Sequence, residues 1–499
     1  RRLKRKIIMH VGPTNSGKTH QALQALVRAE SGVYAGPLRL LAHEIWKRIN
    51  NGAIDGIVRD CNLITGEEQR WVGEYAAHVA CTVEMTPLKD WDVVVLDEIQ
   101  MIADPDRGSS WMSVLLGAPA KEIHLCGEDT TVDLVTRIAK ECGDEIVINR
   151  YERLSPLKIA DKSLGGDLSK VQQGDAIVAF NRSFIFQLAQ QVASKTGHSA
   201  ALAYGALPPE VRNQQAKVFN DPNSGLSVMV ASDAIGLGLN LKIKRIIFHR
   251  MTKWNGKEVI ELSPSQTKQI AGRAGRFGLH GEGESGEVTT LFPADLPILR
   301  RAMGVPNSPI LRGQIAPSSL IVIDFYRLLT PGTTIYDAQK VFADFTRTAP
   351  WQIASPMKQD LMFVPGENML FQKFCQLPTD IQLDWMNSPW PKRQIWPLVA
   401  ACADAFLKNY IERPEMVEIQ PVLEQHGLYD PFAVIHLGRN TIRAAGAGPA
   451  MKRLLSNPRT LVYLESAHRA ITFYLWLSYR FPVSFGEQLK AFELKNQVE

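Results

Sequence analysis

The chain has 499 residues, 45% of them apolar and 21% charged, which suits about three to four globular domains with a large core and excludes a disordered or fibrous protein. A net charge of +5 permits a nucleic-acid partner without requiring one. The six cysteines (Cys61, Cys81, Cys126, Cys142, Cys375, Cys402) form no C-x-x-C and the eleven histidines no H-E-x-x-H, so disulfide-framework and zinc classes drop out and the thiols read as reduced, mostly buried and intracellular.

The chain begins at Arg1 and not at Met, so a targeting peptide would lie upstream of what is visible; the run Arg1 to Lys6 reads as a solvated charge cluster before the first strand. Ile7–Val11 reads as that strand and Gln21–Arg28 as a helix. Between them, Gly12-Pro13-Thr14-Asn15-Ser16-Gly17-Lys18-Thr19 fits G-x-x-x-x-G-K-[ST]. Its glycines let backbone N–H groups turn around phosphate oxygens, Lys18 reaches the β- and γ-phosphates, and the Thr19 hydroxyl suits Mg²⁺. Strands are further expected at Val33–Ala35, Cys61–Ile64, His78–Val83, Asp92–Leu96, Ile123–Leu125 and Glu145–Ile148, an alternation with helical stretches that describes a parallel sheet covered on both faces. Val93 to Leu96 runs into Asp97-Glu98, two carboxylates where α/β sheets place ligands. With a P-loop upstream, Asp97 suits a metal and Glu98 suits orienting and deprotonating a water.

Near Ser155-Pro156 a second alternating region begins, with strands at Leu157–Ala160, Ala176–Phe180, Ala200–Ala203, Val228–Ala231 and Arg245–His249 and no P-loop of its own. It carries a Ser232-Asp233 to Asn240 loop containing Gly238, then Gln269-Ile270-Ala271-Gly272-Arg273-Ala274-Gly275-Arg276. If helical, Gln269, Arg273 and Arg276 share a face, and paired arginines beside small residues suit a triphosphate. Arg245–Lys253 and Glu258–Leu262 predict a hairpin across an Asn255-Gly256 type I′ turn, in the position of a strand-separating wedge. Beyond Pro293 the period turns helical at Leu296–Met303, Thr334–Arg347, Pro397–Ile411 and Arg459–Arg480; Trp385, Trp390 and Trp396 read as core. No stretch suits a transmembrane helix. The expected division is 1–155, 156–293, a helical accessory domain over 294–415 and a small terminal one over 416–499.

The ordered set resembles superfamily 2 helicases of the DExH type. His10 to Thr19, Gly36 to Ala42, Asp97 to Met101, His124 to Glu128, Gln269 to Phe277 and Tyr474 to Phe481 are similar to the RNA helicases of the mitochondrial degradosome. The resemblance covers nearly the whole chain. It implies an α/β fold of two tandem RecA-like lobes followed by an α-helical C-terminal region, with one ATP shared between the lobes. The implied activity is ATP-dependent unwinding of RNA and RNA–DNA duplexes, 3′-to-5′, feeding an exoribonuclease partner in the mitochondrial matrix. Gly12, Thr14, Asn15, Ser16, Gly17, Lys18, Thr19, Asp97 and Gly238 would hold nucleotide, Thr19 and Asp97 the Mg²⁺, and Glu98, Gln269, Arg273 and Arg276 would carry hydrolysis. Pro37, Leu38, Arg39, Thr82, Glu84, Arg182, Ser183 and Ser232 would line the single-stranded RNA path through its backbone, with little base preference. The set reads D-E-I-Q rather than D-E-A-D, and no adenine-reading glutamine motif fits before Ile7, which leaves nucleoside triphosphates other than ATP open. The rival readings are a DNA helicase or translocase, an ATP-gated RNA clamp that scaffolds a nuclease, and a P-loop nucleoside kinase. An intact Glu98 argues against the clamp, and the second lobe argues against the kinase.

Overall fold

The structure, a computed structural model, describes residues 4–236, 239–255, 257–275, 285–355, 368–429 and 458–499. The chain folds as two compact units: Arg1–Gln314 with Pro350–Gln352, and Ile315–Ala349 with Ile353–Glu499. The first contains two large sheets and a separate two-stranded one. In chain order its strands are β1 (Lys6–Val11), β2 (Gly32–Gly36), β3 (Cys61–Ile64), β4 (Gln69–Arg70), β5 (His78–Thr82), β6 (Trp91–Leu96), β7 (Ala120–Gly127), β8 (Glu145–Arg150), β9 (Leu157–Ile159), β10 (Asp175–Val178), β11 (Ser199–Ala203), β12 (Leu226–Ala231), β13 (Arg245–Phe248), β14 (Thr252–Trp254), β15 (Val259–Glu261) and β16 (Gly286–Thr290).

The first lobe is an eight-stranded sheet in the order β4-β3-β5-β2-β6-β7-β1-β8, parallel except for the β3–β4 edge pair. All of β2 and the stretch Val93–Leu96 of β6 are buried, as a sheet covered on both faces requires. The second lobe is a six-stranded parallel sheet, β11-β12-β10-β13-β16-β9. Two strands of these large sheets lie outside the sequence expectation. Gln69–Arg70 is a two-residue edge strand, and Gly286–Thr290 reads Gly-Glu-Val-Thr-Thr with a single large apolar side chain, so neither carries an apolar run.

The expected hairpin is present with different limits. Arg245–Phe248 belongs to the parallel sheet, and only Thr252–Trp254 and Val259–Glu261 pair antiparallel. The register Trp254↔Val259 and the Asn255 N–H to Glu258 carbonyl bond of 3.1 Å make Asn255 and Glu258 the closing pair; Gly256 lies outside the described residues. The Asn255 side chain accepts from the Lys257 and Glu258 N–H groups at 2.8 and 2.9 Å, an asparagine role at the turn's first position rather than inside it.

The second unit is helical, with Ile335–Phe345, Pro397–Glu412 and Pro458–Arg480 among its helices. Its core is aromatic: Trp385 is fully buried, stacked on Phe481 at 5.6 Å and packed against Tyr410 and Phe485. Trp390 is buried beside it, and Trp396 lies under the Arg469 guanidinium at 4.2 Å. These tryptophans pack within the unit rather than forming a platform for bases. No helix among the described residues is long and apolar enough to cross a membrane.

Candidate nucleotide site and nucleic-acid path

The phosphate loop grows out of the C-terminal end of β1, where its backbone must pass close to the chain leaving β8. A Cβ on Gly12 would stand 2.5 Å from the Tyr151 carbonyl oxygen, so only glycine fits. Asn15 and Gly17 take left-handed backbone angles, φ 63° and 78°, before the helix Lys18–Arg28 begins. The Lys18 ammonium is folded back onto the Gly12 and Pro13 carbonyls, each at 3.1 Å, and the buried Ser16 hydroxyl has no partner. The loop's own carbonyls therefore hold its lysine, contacts that an incoming phosphate would replace.

Asp97 and Glu98 end β6, two strands from β1. Asp97 is buried beneath the cavity wall: the Tyr34 hydroxyl donates to it at 2.8 Å, the Glu98 N–H at 3.0 Å, and Thr19 Oγ1 at 3.4 Å. Burial, and then the neighbouring Glu98 carboxylate, push the Asp97 carboxyl up to about 6. A buried carboxylate and a threonine hydroxyl side by side are hard oxygen donors that fit Mg²⁺. Glu98 has φ 52° and ψ 52°, a left-handed conformation uncommon for glutamate, anchored by the Trp111 indole N–H on the preceding carbonyl at 2.9 Å. Its carboxylate accepts from the Gln100 side-chain amide.

Gln100 links Glu98 to the other lobe. Its Oε1 accepts the Glu128 N–H at 3.1 Å, while the Glu128 carboxylate accepts from Ser265 at 2.9 Å and from Asn307 at 3.3 Å. Ser265 lies on the second-lobe helix Pro264–Ala271, and Asn307 lies on the segment after the helix Leu296–Gly304. That segment returns to the first lobe, where the Ile310 N–H donates to Thr130 at 2.8 Å. Burial raises the Glu128 carboxyl, which makes its two second-lobe donors worth more than they would be in water. Glu128→Ala should lower turnover about tenfold at saturating nucleotide with little change in KM, because the carboxylate that holds Ser265 and Asn307 of the second lobe to this strand end is lost, while the backbone N–H that Gln100 accepts from and the phosphate loop are untouched. Steady-state kinetics check this; an effect confined to KM would assign Glu128 to binding instead.

The phosphate loop, Glu98, Gln100, Glu128, Gln269, Arg273, Pro306 and Asn307 line one cavity of about 870 Å³ between the two lobes. Gln269 sits on the helix Pro264–Ala271, as expected; Arg273 lies past its end at Gly272, so the shared helical face does not extend to it. Arg273 is only 7% exposed and donates to the Gly236 carbonyl at 3.0 Å and to Leu239 at 3.4 Å. Its fork braces the loop that follows β12 within its own lobe, at the wall of the shared cavity. Gly238 and Arg276 lie outside the described residues.

The residues expected along the RNA all stand at strand C-terminal ends: Pro37, Leu38 and Arg39 after β2, Thr82 and Glu84 at β5, Arg182 and Ser183 after β10, and Ser232 after β12. Asn181 caps the helix Arg182–Thr196 by accepting from the Ser183 N–H at 2.9 Å, and Ser232 accepts from the Ala234 N–H at 3.1 Å. Two of the set are engaged with acids or bases of the protein. Arg39 pairs with Glu67 and, at 3.0 Å across the lobes, with Glu210, and Glu84 pairs with Arg107 at 2.7 Å. A phosphate reaching Arg39 must displace Glu210.

Under the phosphate loop, His10 lies between Tyr151 and His124, with Nδ1 2.8 Å from the Tyr151 hydroxyl and Nε2 2.9 Å from His124. Burial, with His124 adding to it, pushes His10 down to about 4 from 6.5. Between these values the unfolded chain takes up the proton first, so the stability due to a neutral His10 is present above about 6.5 and lost as pH falls towards about 4. The stability difference between wild type and His10→Gln should change over that window by up to ~1.4 kcal/mol per pH unit, one proton's worth. Urea unfolding at stepped pH measures it; a constant difference would place the acid sensitivity elsewhere.

A cleft with a phosphate loop and a paired Asp-Glu on one RecA-like lobe, facing Gln269 on the next, is the arrangement of a two-lobed P-loop nucleotide site. Comparison with known proteins narrows this. Residues 1–151 match the DEXQ-box helicase domain of Suv3, residues 157–278 the helicase conserved C-terminal domain, and residues 461–499 the ATP-dependent RNA helicase SUV3 C-terminal domain. Two of these three models, over residues 1–151 and 461–499, are those of Suv3 helicases, so the chain is similar to that family at both ends. It is 37% identical to "DExH-box ATP-dependent RNA helicase DExH18, mitochondrial" of Arabidopsis thaliana, over 97% of this chain and 57% of that one. It is 37% identical to "ATP-dependent RNA helicase SUPV3L1, mitochondrial" of Mus musculus, over 99% of this chain and 60% of that one. The chain thus spans about three-fifths of the length of these curated relatives. Among solved structures, the Escherichia coli DEAH/RHA helicase HrpB is similar over 84% of this chain and 57% of that one, with a TM-score of 0.49 and 16% identity.

Three groups at the cleft carry no sequence signal of their own. Arg153, which joins the lobes, and Pro306 and Asn307, which close the cavity, sit in stretches without a motif. Glu128 entered only through resemblance, and its partners Ser265 and Asn307 are 137 and 179 residues away along the chain.

Proposed function

We propose that the chain hydrolyses ATP between its two lobes to separate RNA and RNA–DNA duplexes, moving 3′-to-5′, in the mitochondrial matrix, where it supplies single strands to an exoribonuclease. The observation that carries the catalytic part is the single cavity shared by the phosphate loop, Glu98 and Gln269. The names of the relatives, mitochondrial ATP-dependent RNA helicases, support the substrate and the compartment.

Gly12 to Gly17 present N–H groups to the α- and β-phosphates, and Lys18 leaves its two carbonyl partners for the β- and γ-phosphates. Thr19 and Asp97 hold Mg²⁺, which when bound neutralises charge on the phosphates. Glu98, oriented by Gln100, takes the proton of the attacking water, and Gln269 completes the water's hydrogen bonds from the second lobe. Arg276 neutralises charge developing on the γ-phosphate, and Gly238 contributes to holding the nucleotide. RNA phosphates run over Pro37 to Arg39, Thr82 and Glu84 on one lobe and over Arg182, Ser183 and Ser232 on the other. Bound RNA thereby favours the closed cleft, and hydrolysis depends on it.

The test pairs two assays: nucleotide hydrolysis with and without single-stranded RNA, and unwinding of duplexes carrying a 3′ or a 5′ tail. RNA-stimulated hydrolysis with unwinding from a 3′ RNA tail is the expected result. Equal unwinding from a DNA loading strand would make it a general translocase, and stimulated hydrolysis without strand separation would make it a clamp.

A further inference from the structure

Between the sheets, the chain leaves β8 at Arg150 and reaches the second lobe within seven residues, and Arg153 sits in this short link. Its guanidinium serves three segments at once. Nε donates to the Ser155 carbonyl at 2.7 Å within the link. Nη1 donates to the Thr14 carbonyl of the phosphate loop at 3.0 Å and to the Gly272 carbonyl at 2.9 Å, and Nη2 donates to the Ala274 carbonyl. The two surfaces it joins also touch directly. A Cβ on Gly272 would stand 2.9 Å from the Thr14 Cβ, and the Asn15 amide donates to the Gly275 carbonyl at 3.3 Å.

We propose that Arg153 is a positioning residue that registers the phosphate loop against the Gly272–Gly275 segment, and so sets where Gln269, just before that segment, meets the phosphate loop in the shared cavity. The inference rests on the helicase reading above. Its physical basis is the fork: a planar cation can satisfy carbonyls of three backbone segments simultaneously, and a lysine cannot span them. Backbone acceptors make the contact indifferent to the side chains around it. Asn15 and Thr14, which occupy variable positions of the phosphate-loop pattern, thus serve the interface between lobes as well as the nucleotide.

The experiment compares wild type with Arg153→Lys and Arg153→Ala by three readouts: RNA-stimulated kcat and KM for ATP, fluorescent-nucleotide affinity without RNA, and energy transfer between dyes on exposed Asp133 and Gln190, one in each lobe. In Arg153→Lys we expect kcat to fall about tenfold, the effect of losing about one charge-assisted contact, with KM and RNA-free affinity within about twofold. The energy-transfer distribution should broaden towards longer distances. Arg153→Ala should extend the same pattern, and if it does not fold, Arg153→Lys decides alone. Wild-type kcat and a wild-type distance distribution in Arg153→Lys would overturn the proposal. So would a lowered kcat with unchanged distances and a thermal midpoint lowered to match, since that is a stability role only. If wild type itself shows no RNA stimulation, the helicase reading fails, and the distance measurement still tests the link.

Discussion

Glu98→Gln should bind ATP and RNA as wild type does while hydrolysis falls on the order of 10²–10⁴-fold, the range for loss of a general base. The amide keeps the shape of the side chain and can still bond to Gln100, but it cannot accept the proton of the attacking water. Its backbone should stay in place, because the left-handed conformation at φ 52° is held from outside the side chain by Trp111 on the Asp97 carbonyl and by the buried Asp97 itself. Single-turnover hydrolysis beside nucleotide and RNA titrations separates the terms. Near-normal hydrolysis would remove Glu98 from the role, and lost binding would make it a ligand of the nucleotide.

The second large effect divides the two arginines. Arg276→Ala should remove most RNA-stimulated turnover, roughly 10³–10⁵-fold or about 4–7 kcal/mol of transition-state stabilisation, with nucleotide affinity in the RNA-free protein nearly unchanged. Arg276→Lys should rescue poorly, because an ammonium cannot reproduce the fork of donors. Arg273→Ala should behave differently: it leaves the Gly236 and Leu239 carbonyls without their buried donor, so the expected loss is in the stability of the second lobe, read as a lowered thermal midpoint. If Arg276→Ala hydrolyses ATP normally and fails to bind RNA, that arginine is a strand contact. If Arg273→Ala melts as wild type does and loses only turnover, the bracing role is wrong.

The parts of the molecule that could be read in the sequence are those governed by neighbours along the chain. The phosphate loop needs glycines and a lysine at set spacings because backbone N–H groups and one cation must converge on one phosphate chain within eight residues. Strands such as Val93–Leu96 announce themselves because a sheet covered on both faces wants unbroken apolar runs, and Asp97 and Glu98 are conspicuous as the charges that end such a run. The same rule hid Gly286–Thr290, a central strand without that run. It also let Arg245–Phe248 look like part of the hairpin that follows it, when its partners are parallel strands far away in sequence.

What only the tertiary structure decided is who faces whom across the cleft. Spacing made Arg273 and Arg276 look equivalent, but a guanidinium goes where carbonyls are left unpaired. The turn after β12 offers two to Arg273, which ties it to its own lobe's frame at the cavity wall. Glu128 meets Ser265 and Asn307, and Arg153 meets Thr14, Gly272 and Ala274, over separations of more than a hundred residues that no local pattern encodes. Local propensity acts over a turn of helix or a pair of strands. A hydrogen bond between lobes depends on how two finished sheets dock, so the chain's own sequence named the reactive groups while the docking of the sheets chose the groups that hold them in place.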